Sequence, residues 1–246
     1  LKVDPIVPRR VRPWLTGPED GLSWDNDLPG PVLDLASRGC QPVGQSPTSP
    51  TGMRHLPTFP FSEADPIQHP GPPPKSSEVV IIGGGVSGVT TALLLAQRNI
   101  AVTLLEKGRI AAEQSSRNWG WIRKQGRDAD ELPIVIEAIR LWRQLAEECG
   151  EDIGLTQTGV TYLANTDKDM AGFEAFMKIA AIHELDTRLL DGDETAKLIK
   201  GMSRTFTGAM TTPSDMRAEP WLAVPALARL AVRKGVKIVE NCAART

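Results

Sequence analysis

Three spaced glycines follow directly on an apolar run, and together they predict a phosphate-binding turn. The run VVII at residues 79–82 leads into Gly83-x-Gly85-x-x-Gly88. Glycine at the first position allows a tight turn, at the second a close approach of the backbone to a pyrophosphate, and at the third close helix–strand packing. The N–H groups at the start of the following helix, around Val86 and Ser87, would face the phosphates.

A carboxylate stands where a ribose would require one. Glu106 ends the next apolar stretch, AVTLLE at residues 101–106, and lies 18 residues after Gly88. A carboxylate at this place accepts hydrogen bonds from ribose hydroxyls, which permits NAD or FAD and disfavours NADP. We include the adjacent Lys107 in the predicted cofactor site.

A transmembrane helix is the competing interpretation of the glycine-rich stretch. Residues 79–97 contain no charged side chain, and this length approaches the roughly 20 residues that a membrane span needs. Four glycines, Ser87, Thr90 and Thr91 would weaken such a span, and a ribose-type carboxylate follows it. The sequence therefore predicts a dinucleotide site and no transmembrane segment.

The next segment resembles a known family and indicates which dinucleotide is bound. Residues 106–128, EKGRIAAEQSSRNWGWIRKQGRD, are similar to the amino-acid oxidase and dehydrogenase group of FAD-dependent oxidoreductases, which includes sarcosine and glycine oxidases. In that family this segment passes the FAD pyrophosphate on its way to the flavin. Ser115, Ser116 and Asn118 match its small and polar positions, so the resemblance implies FAD as cofactor. An NAD-linked dehydrogenase and a flavin monooxygenase remain alternatives.

The resemblance extends along residues 212–244, which are similar to the family's return from the substrate domain to the nucleotide domain. There a loop after the last strand contacts adenine, and Ala243 or Ala244 would hold that position; we place Ala244 in the site. Met216 stands where the family usually has glycine. Family members continue beyond this point, and their remaining part supplies the arginine or tyrosine that holds the substrate carboxylate.

Two functions follow from the resemblance. One is oxidation of the C–N bond of an amino acid or secondary amine by hydride transfer to FAD. The other is a truncated, non-catalytic FAD-binding fragment, or a subunit that needs a partner to supply the other half. No residue of the sequence receives a catalytic assignment, and we expect His183 to have a surface or packing role.

Alternating strand and helix patterns must position these residues, and they predict an α/β protein. Strands are expected at 79–82, 101–106, 159–164, 205–210 and 236–240, and helices at 86–98, 131–149, 168–184, from about 193, and at 220–234. Together with this pattern, the family resemblance implies a Rossmann-like FAD-binding domain, residues 78–155 and 213–246, with an interleaved, incomplete α+β substrate domain at 156–212.

The first 77 residues have a different composition. They contain most of the 20 prolines and no periodic apolar pattern, so we expect residues 1–77 to be largely disordered. The motif PGPPPK at residues 70–75 is a stiff linker or, alternatively, a polyproline ligand.

Bulk composition excludes several functions. The formal net charge of −2 offers no attraction to nucleic acid. Three dispersed cysteines and three dispersed histidines predict no metal site and favour a protein of the cytoplasm with reduced thiols. The family resemblance, and not the composition, implies a small-molecule amine or amino acid as the substrate.

Overall fold

The computed structural model describes residues 65–201 and 203–245. The helices of this part are α1 (Val86–Ala96), α2 (Leu132–Cys149), α3 (Asp167–Ile182), α4 (Gly192–Leu198) and α5 (Pro220–Arg233). The strands are β1 (Val79–Ile82), β2 (Val102–Leu105), β3 (Trp121–Ile122), β4 (Val160–Ala164), β5 (Arg188–Asp191), β6 (Gly208–Thr212), β7 (Met216–Arg217) and β8 (Lys237–Val239). A short 3-10 turn covers Gln114–Ser116.

A parallel sheet carries the glycine-rich turn. Its strand order is β1-β2-β8, and Leu104 of β2 lies opposite Ile81 on one side and Ile238 on the other. All four residues of β2 are buried, so its sequence, VTLL, lacks the alternating charged or strongly polar positions of a strand with one face in water. Helices α1 and α5 cover the sheet through the fully buried Leu93 and Leu227.

A second, antiparallel sheet has the strand order β4-β6-β5. Helix α3 packs on it through Phe176 and Ala180, which contact Met210 of β6 in one buried cluster. A capping box begins this helix, because the Thr166 side chain and the Asp169 side chain each bond to the other's backbone. Such reciprocal caps satisfy two of the N–H groups that a helix start leaves free.

Strands β3 and β7 form a two-stranded antiparallel ribbon. Trp121 pairs with Arg217, and Ile122 pairs with Met216. Gly120 begins this ribbon with a φ of 71°, and a Cβ there would lie 2.0 Å from the Ala218 carbonyl oxygen. Only glycine therefore fits at this crossing.

The α/β class and the Rossmann-like arrangement are confirmed. Asn99, just after α1, has a φ of 64°, and a capping box between Asp191 and Glu194 begins α4. The strand expected at 205–210 is wrong by three residues, since β6 runs from Gly208 to Thr212 and is buried throughout. Strands β3, β5 and β7 were not predicted. The domain boundaries stay a prediction.

Two expectations need correction. Residues 65–77, part of the segment expected to be disordered, form no helix or strand, yet Gln68 and His69 hydrogen-bond to Glu240; residues 1–64 lie outside the described part.

Cys242 is disulfide-bonded, so the expectation of reduced thiols is wrong for this residue, whereas the buried Cys149 is free. No helix within the described residues is long and apolar enough to cross a membrane.

Candidate functional site

The glycine turn, residues 83–88, lies where β1 ends and α1 begins. Gly83 adopts a φ of 110°, and its N–H donates to the Leu105 carbonyl at 2.8 Å, which joins the ends of β1 and β2. At Gly88 a Cβ would lie 2.0 Å from the Gly83 carbonyl oxygen. The first and last glycines therefore serve the turn and the helix packing, as the spacing predicted.

Hydrogen-bond donors at the start of α1 point out of this turn. The Val86 N–H donates to the Ser115 hydroxyl oxygen at 2.8 Å. Within the described residues, the N–H groups of Ser87 and Gly88 have no hydrogen-bond acceptor. An ideal Cβ on Gly85 would meet only the Ser115 hydroxyl, at 3.0 Å. The helix start thus offers free N–H groups and a positive dipole end beside a small hydroxyl.

Glu106 lies beside the same turn. It is 8% exposed, and its carboxylate accepts the Gly84 N–H at 2.6 Å and the Gly108 N–H at 2.7 Å. A carboxylate has about four acceptor positions, so two remain for other donors. The carboxylate is therefore held in place by backbone groups and keeps the capacity to accept hydroxyl groups.

The remaining predicted residues have different environments. Lys107 is exposed and pairs with Glu113 at 2.7 Å, and this hydrogen bond raises the pKa of Lys107. Ser116 is buried and donates to the Glu113 carbonyl, so its hydroxyl serves its own turn. Asn118 donates to the Ser115 carbonyl at 2.9 Å and accepts from the Gly120 N–H at 2.7 Å, which fixes the loop.

Ala244 is exposed and follows the end of β8. Just before it, the Cys242 N–H donates to the Glu106 carbonyl at 2.9 Å and the Asn241 N–H to the Gly108 carbonyl at 3.1 Å. These bonds bring the segment that leads to Ala244 next to Glu106. The glycine turn, Glu106, Ser115 and the approach to Ala244 therefore lie at one edge of the parallel sheet.

An open pocket of about 530 Å³ is formed by residues that come after the glycine turn in the sequence. Its lining residues are Arg117, Asn118, Trp119, Trp121, Arg123 and Arg127. The rings of Trp119 and Trp121 meet edge to face with centroids 5.1 Å apart. The Arg123 guanidinium lies 5.7 Å from the ring centroids of both Trp121 and Tyr162. We name this the arginine–tryptophan pocket; its chemistry suits an anion with an apolar body.

A buried acid holds the backbone between Arg123 and Arg127, two of the residues that line this pocket. Asp215 is fully buried, and its carboxylate accepts the Lys124 N–H at 2.8 Å and the Gln125 N–H at 3.1 Å. Burial raises the pKa of the Asp215 carboxyl, while the two N–H bonds and the Lys124 ammonium oppose that rise. The Lys124 ammonium lies 3.9 Å from Asp215 and from Asp186. Asp215 therefore sets the backbone path that directly follows Arg123.

Two buried donors near the pocket have no partner among the described residues, namely Gln125 Nε2 and Arg127 Nε. Sequence reasoning missed these residues and the Arg123–Trp121 contact. A signal was available, because residues 117–127 contain three arginines and two tryptophans. Within the described part of the chain, no three His, Cys, Asp or Glu residues are grouped to hold a metal ion.

A parallel sheet, a glycine turn and a carboxylate at the end of the second strand define the dinucleotide-binding class of α/β proteins. Residues 78–246 match the DAO family, FAD dependent oxidoreductase. The chain therefore belongs to this family, and its resemblance to sarcosine and glycine oxidases is confirmed. Proteins of this family bind FAD.

Several characterised proteins are similar to this chain. The sarcosine oxidase subunit beta of Arthrobacter sp is 31% identical over 165 residues, which are 63% of this chain and 40% of that protein. The structure of L-amino acid deaminase from Proteus myxofaciens in complex with anthranilate has a TM-score of 0.67 and 33% identity, covering 71% of this chain and 40% of that one. Glycine oxidase from Geobacillus kaustophilus has a TM-score of 0.64 and 27% identity, covering 67% and 46%. The chain thus spans less than half of each of these proteins.

Proposed function

We propose that this chain binds FAD at the glycine turn and takes part in oxidising the C–N bond of an amino acid or secondary amine. The observation that carries the proposal is the meeting of free helix N–H groups, the Ser115 hydroxyl and the Glu106 carboxylate at one edge of the parallel sheet. These groups complement a pyrophosphate and a ribose in the order in which a dinucleotide presents them.

Each group has a defined part in holding the cofactor. The Ser87 and Gly88 N–H groups donate to phosphate oxygens, and Gly85 leaves the space that the phosphates need. The Ser115 oxygen already accepts the Val86 N–H, so its own proton is available to a phosphate oxygen. The two free acceptor positions of Glu106 take the ribose hydroxyls. Ala244 contributes its backbone on the adenine side.

The arginine–tryptophan pocket is the proposed substrate-facing surface. When bound, FAD supplies the acceptor for a hydride from the carbon that bears the amine. The cationic side chains of Arg123 and Arg127 orient a substrate carboxylate, and Trp119 and Trp121 exclude water from its apolar part. Asn118 and Gly120 hold the segment that joins the glycine turn to this pocket.

FAD is favoured over NAD by the course of residues 114–120. This segment contacts the start of α1 through Ser115 and then leads into the pocket. A flavin attached to the pyrophosphate would follow the same course, as the sequence resemblance implies. An NAD-linked dehydrogenase stays an alternative that a binding experiment separates.

The test is a titration of the purified chain with FAD, followed by quenching of flavin fluorescence, with NAD titrated in parallel by calorimetry. We expect FAD to bind and NAD not to bind. Glu106→Gln should raise the Kd for FAD by about tenfold or more, because a charge-assisted hydrogen bond contributes about 1.5–3 kcal/mol. Glu147→Gln, an exposed change of equal charge on α2, is the matched control. Binding of NAD alone would refute the proposal.

A second candidate is that a partner polypeptide completes the FAD site. Ile82, at the end of β1, is 74% exposed, and Trp119 is 79% exposed. The outer edge of β1 pairs with no strand among the described residues. Both features suit a further surface that covers the turn. A folded chain that binds neither FAD nor NAD would favour this candidate over an independent FAD protein.

A further inference from the structure

A short segment before the family-matched part of the chain is attached to the nucleotide-binding half. We call residues 65–69 the strap; they precede the matched range 78–246. The His69 carbonyl accepts the Glu240 N–H at 2.9 Å, and the Asp65 carbonyl accepts Nε of Arg109 at 2.8 Å. The strap therefore has fixed contacts although it forms no helix or strand.

The Glu240 carboxylate is the centre of this attachment. It is 5% exposed, and one of its oxygens accepts the N–H groups of Gln68 at 2.6 Å and His69 at 3.0 Å. The other oxygen accepts the Ile110 N–H at 2.8 Å. A buried carboxylate is costly unless its acceptor positions are used, and here three backbone donors use them. Glu240 thus joins three segments that are distant in the sequence.

One of these segments belongs to the proposed nucleotide site. Ile110 lies in the loop after β2, between Glu106 and Ala111. The Ala111 N–H donates to the Gly84 carbonyl at 3.0 Å, and the Gly108 N–H donates to the Glu106 carboxylate. The same loop therefore contacts the glycine turn and the Glu106 carboxylate, which would accept the ribose hydroxyls. Glu240 holds this loop through the Ile110 N–H.

We propose that Glu240 is a positioning residue that couples docking of the strap to the geometry of the loop at residues 106–111, and through it to nucleotide affinity. A docked strap fills one oxygen of Glu240 and orders its carboxylate, which in turn orders the loop around Ile110. Ordering a site before its ligand arrives raises affinity, and linkage requires a bound nucleotide to stabilise the strap equally. The nucleotide part of this inference rests on the proposed FAD site.

Hydrogen exchange of the full chain, followed by mass spectrometry without nucleotide, tests the coupling. Gln68→Pro removes the strap N–H that donates to Glu240, and it leaves Glu240 and the residues of the loop themselves unsubstituted. We expect exchange to accelerate by about tenfold or more at the His69 amide, which donates to Glu240, and also at 107–112, with α3 and α5 unchanged. Glu240→Gln should produce the same two changes. Glu174→Gln, an equal charge change at an exposed position of α3, should leave both segments as they are.

FAD affinity is then measured on the same variants. The Kd should rise in Gln68→Pro and Glu240→Gln by a few-fold to about tenfold, while Glu174→Gln matches the parent. Release of the strap without faster exchange at 107–112 would overturn the coupling, and so would faster exchange spread evenly over α5 and β8. If the parent chain binds no FAD, the proposed function fails, whereas the exchange comparison still decides whether the strap and the loop are coupled.

Discussion

Two alanine substitutions in the glycine turn should have opposite consequences, although their sites are three residues apart. Gly85 has a φ of −77° and a ψ of 178°, which any residue adopts, and a Cβ there would meet only the Ser115 hydroxyl at 3.0 Å. At Gly88 the Cβ would lie 2.0 Å from the Gly83 carbonyl oxygen, where about 3.5 Å is an ordinary contact. Gly85→Ala should therefore spare the fold, and Gly88→Ala should not.

The magnitudes follow from these distances. In Gly88→Ala the backbone of α1 must move away from β1, and overpacking of this kind costs about 1–3 kcal/mol or more. For a domain of this size that lowers the Tm by roughly 2–12 °C. In Gly85→Ala a smaller unfolded-state entropy stabilises by about 0.4–1 kcal/mol, and crowding of Ser115 offsets part of it. The methyl group fills space needed by the pyrophosphate, so FAD affinity should fall about 5- to 150-fold.

Thermal unfolding by circular dichroism and FAD titration are measured on the parent and both variants. The expected result is an almost unchanged Tm with weak FAD binding for Gly85→Ala, and a clearly lowered Tm for Gly88→Ala. Equal FAD affinity in Gly85→Ala and the parent would refute the assignment of this residue to the phosphates. A Gly88→Ala chain as stable as the parent would refute the packing argument.

Two further changes test groups outside the turn. Asp215→Asn leaves a buried side chain whose amide faces the N–H groups of Lys124 and Gln125, so it should lower the free energy of unfolding by about 1–3 kcal/mol in urea titrations; an equal loss in the exposed Asp193→Asn would contradict this. Burial lowers the pKa of His69, with Arg229 and Lys237 acting in the same direction and Glu240 against them. Because the unfolded chain then binds more protons, stability should be complete above the unfolded pKa of about 6.5 and decrease as the pH falls below it. His69→Gln should flatten this dependence of the urea midpoint between pH 7.5 and 5.5, and an unchanged slope would show that His69 is not its source.

The elements with the strongest patterns were predictable from the sequence. Helix α2 has apolar residues at helical spacing, and β2 lies in the short, mostly apolar run that precedes Glu106, so both were located to within about two residues. The predicted position of β6 was too early in the sequence because the last two residues of this strand, Thr211 and Thr212, are polar. Both are buried with their hydroxyls bonded: Thr211 to Thr161 of β4, and Thr212 to Gln125 and to Thr187, which directly precedes β5. Such cross-strand partners are invisible in a single segment.

The candidate site was also predictable only in part, namely where the signal lies within one short segment. The glycine spacing and Glu106 are local signals, because each residue type serves a function defined by its near neighbours. The role of Asp215 is not local, since its partners Lys124 and Gln125 lie about ninety residues away. The strap was missed for the same reason: proline-rich sequence has no apolar period, and its attachment depends on Glu240 near the other end of the described chain.

The sequence by itself determined the class of fold, the glycine turn and the family, because these depend on periodicity and on residues at fixed short spacing. Only the tertiary structure decided which backbone N–H groups stay free, that the Ser115 hydroxyl lies at the start of α1, and that one buried carboxylate joins the strap to the loop after β2. The physical reason is that a hydrogen bond or a burial depends on the distance between atoms in space. That distance is set when the sheet brings β1, β2 and β8 together, and no spacing along the chain encodes it.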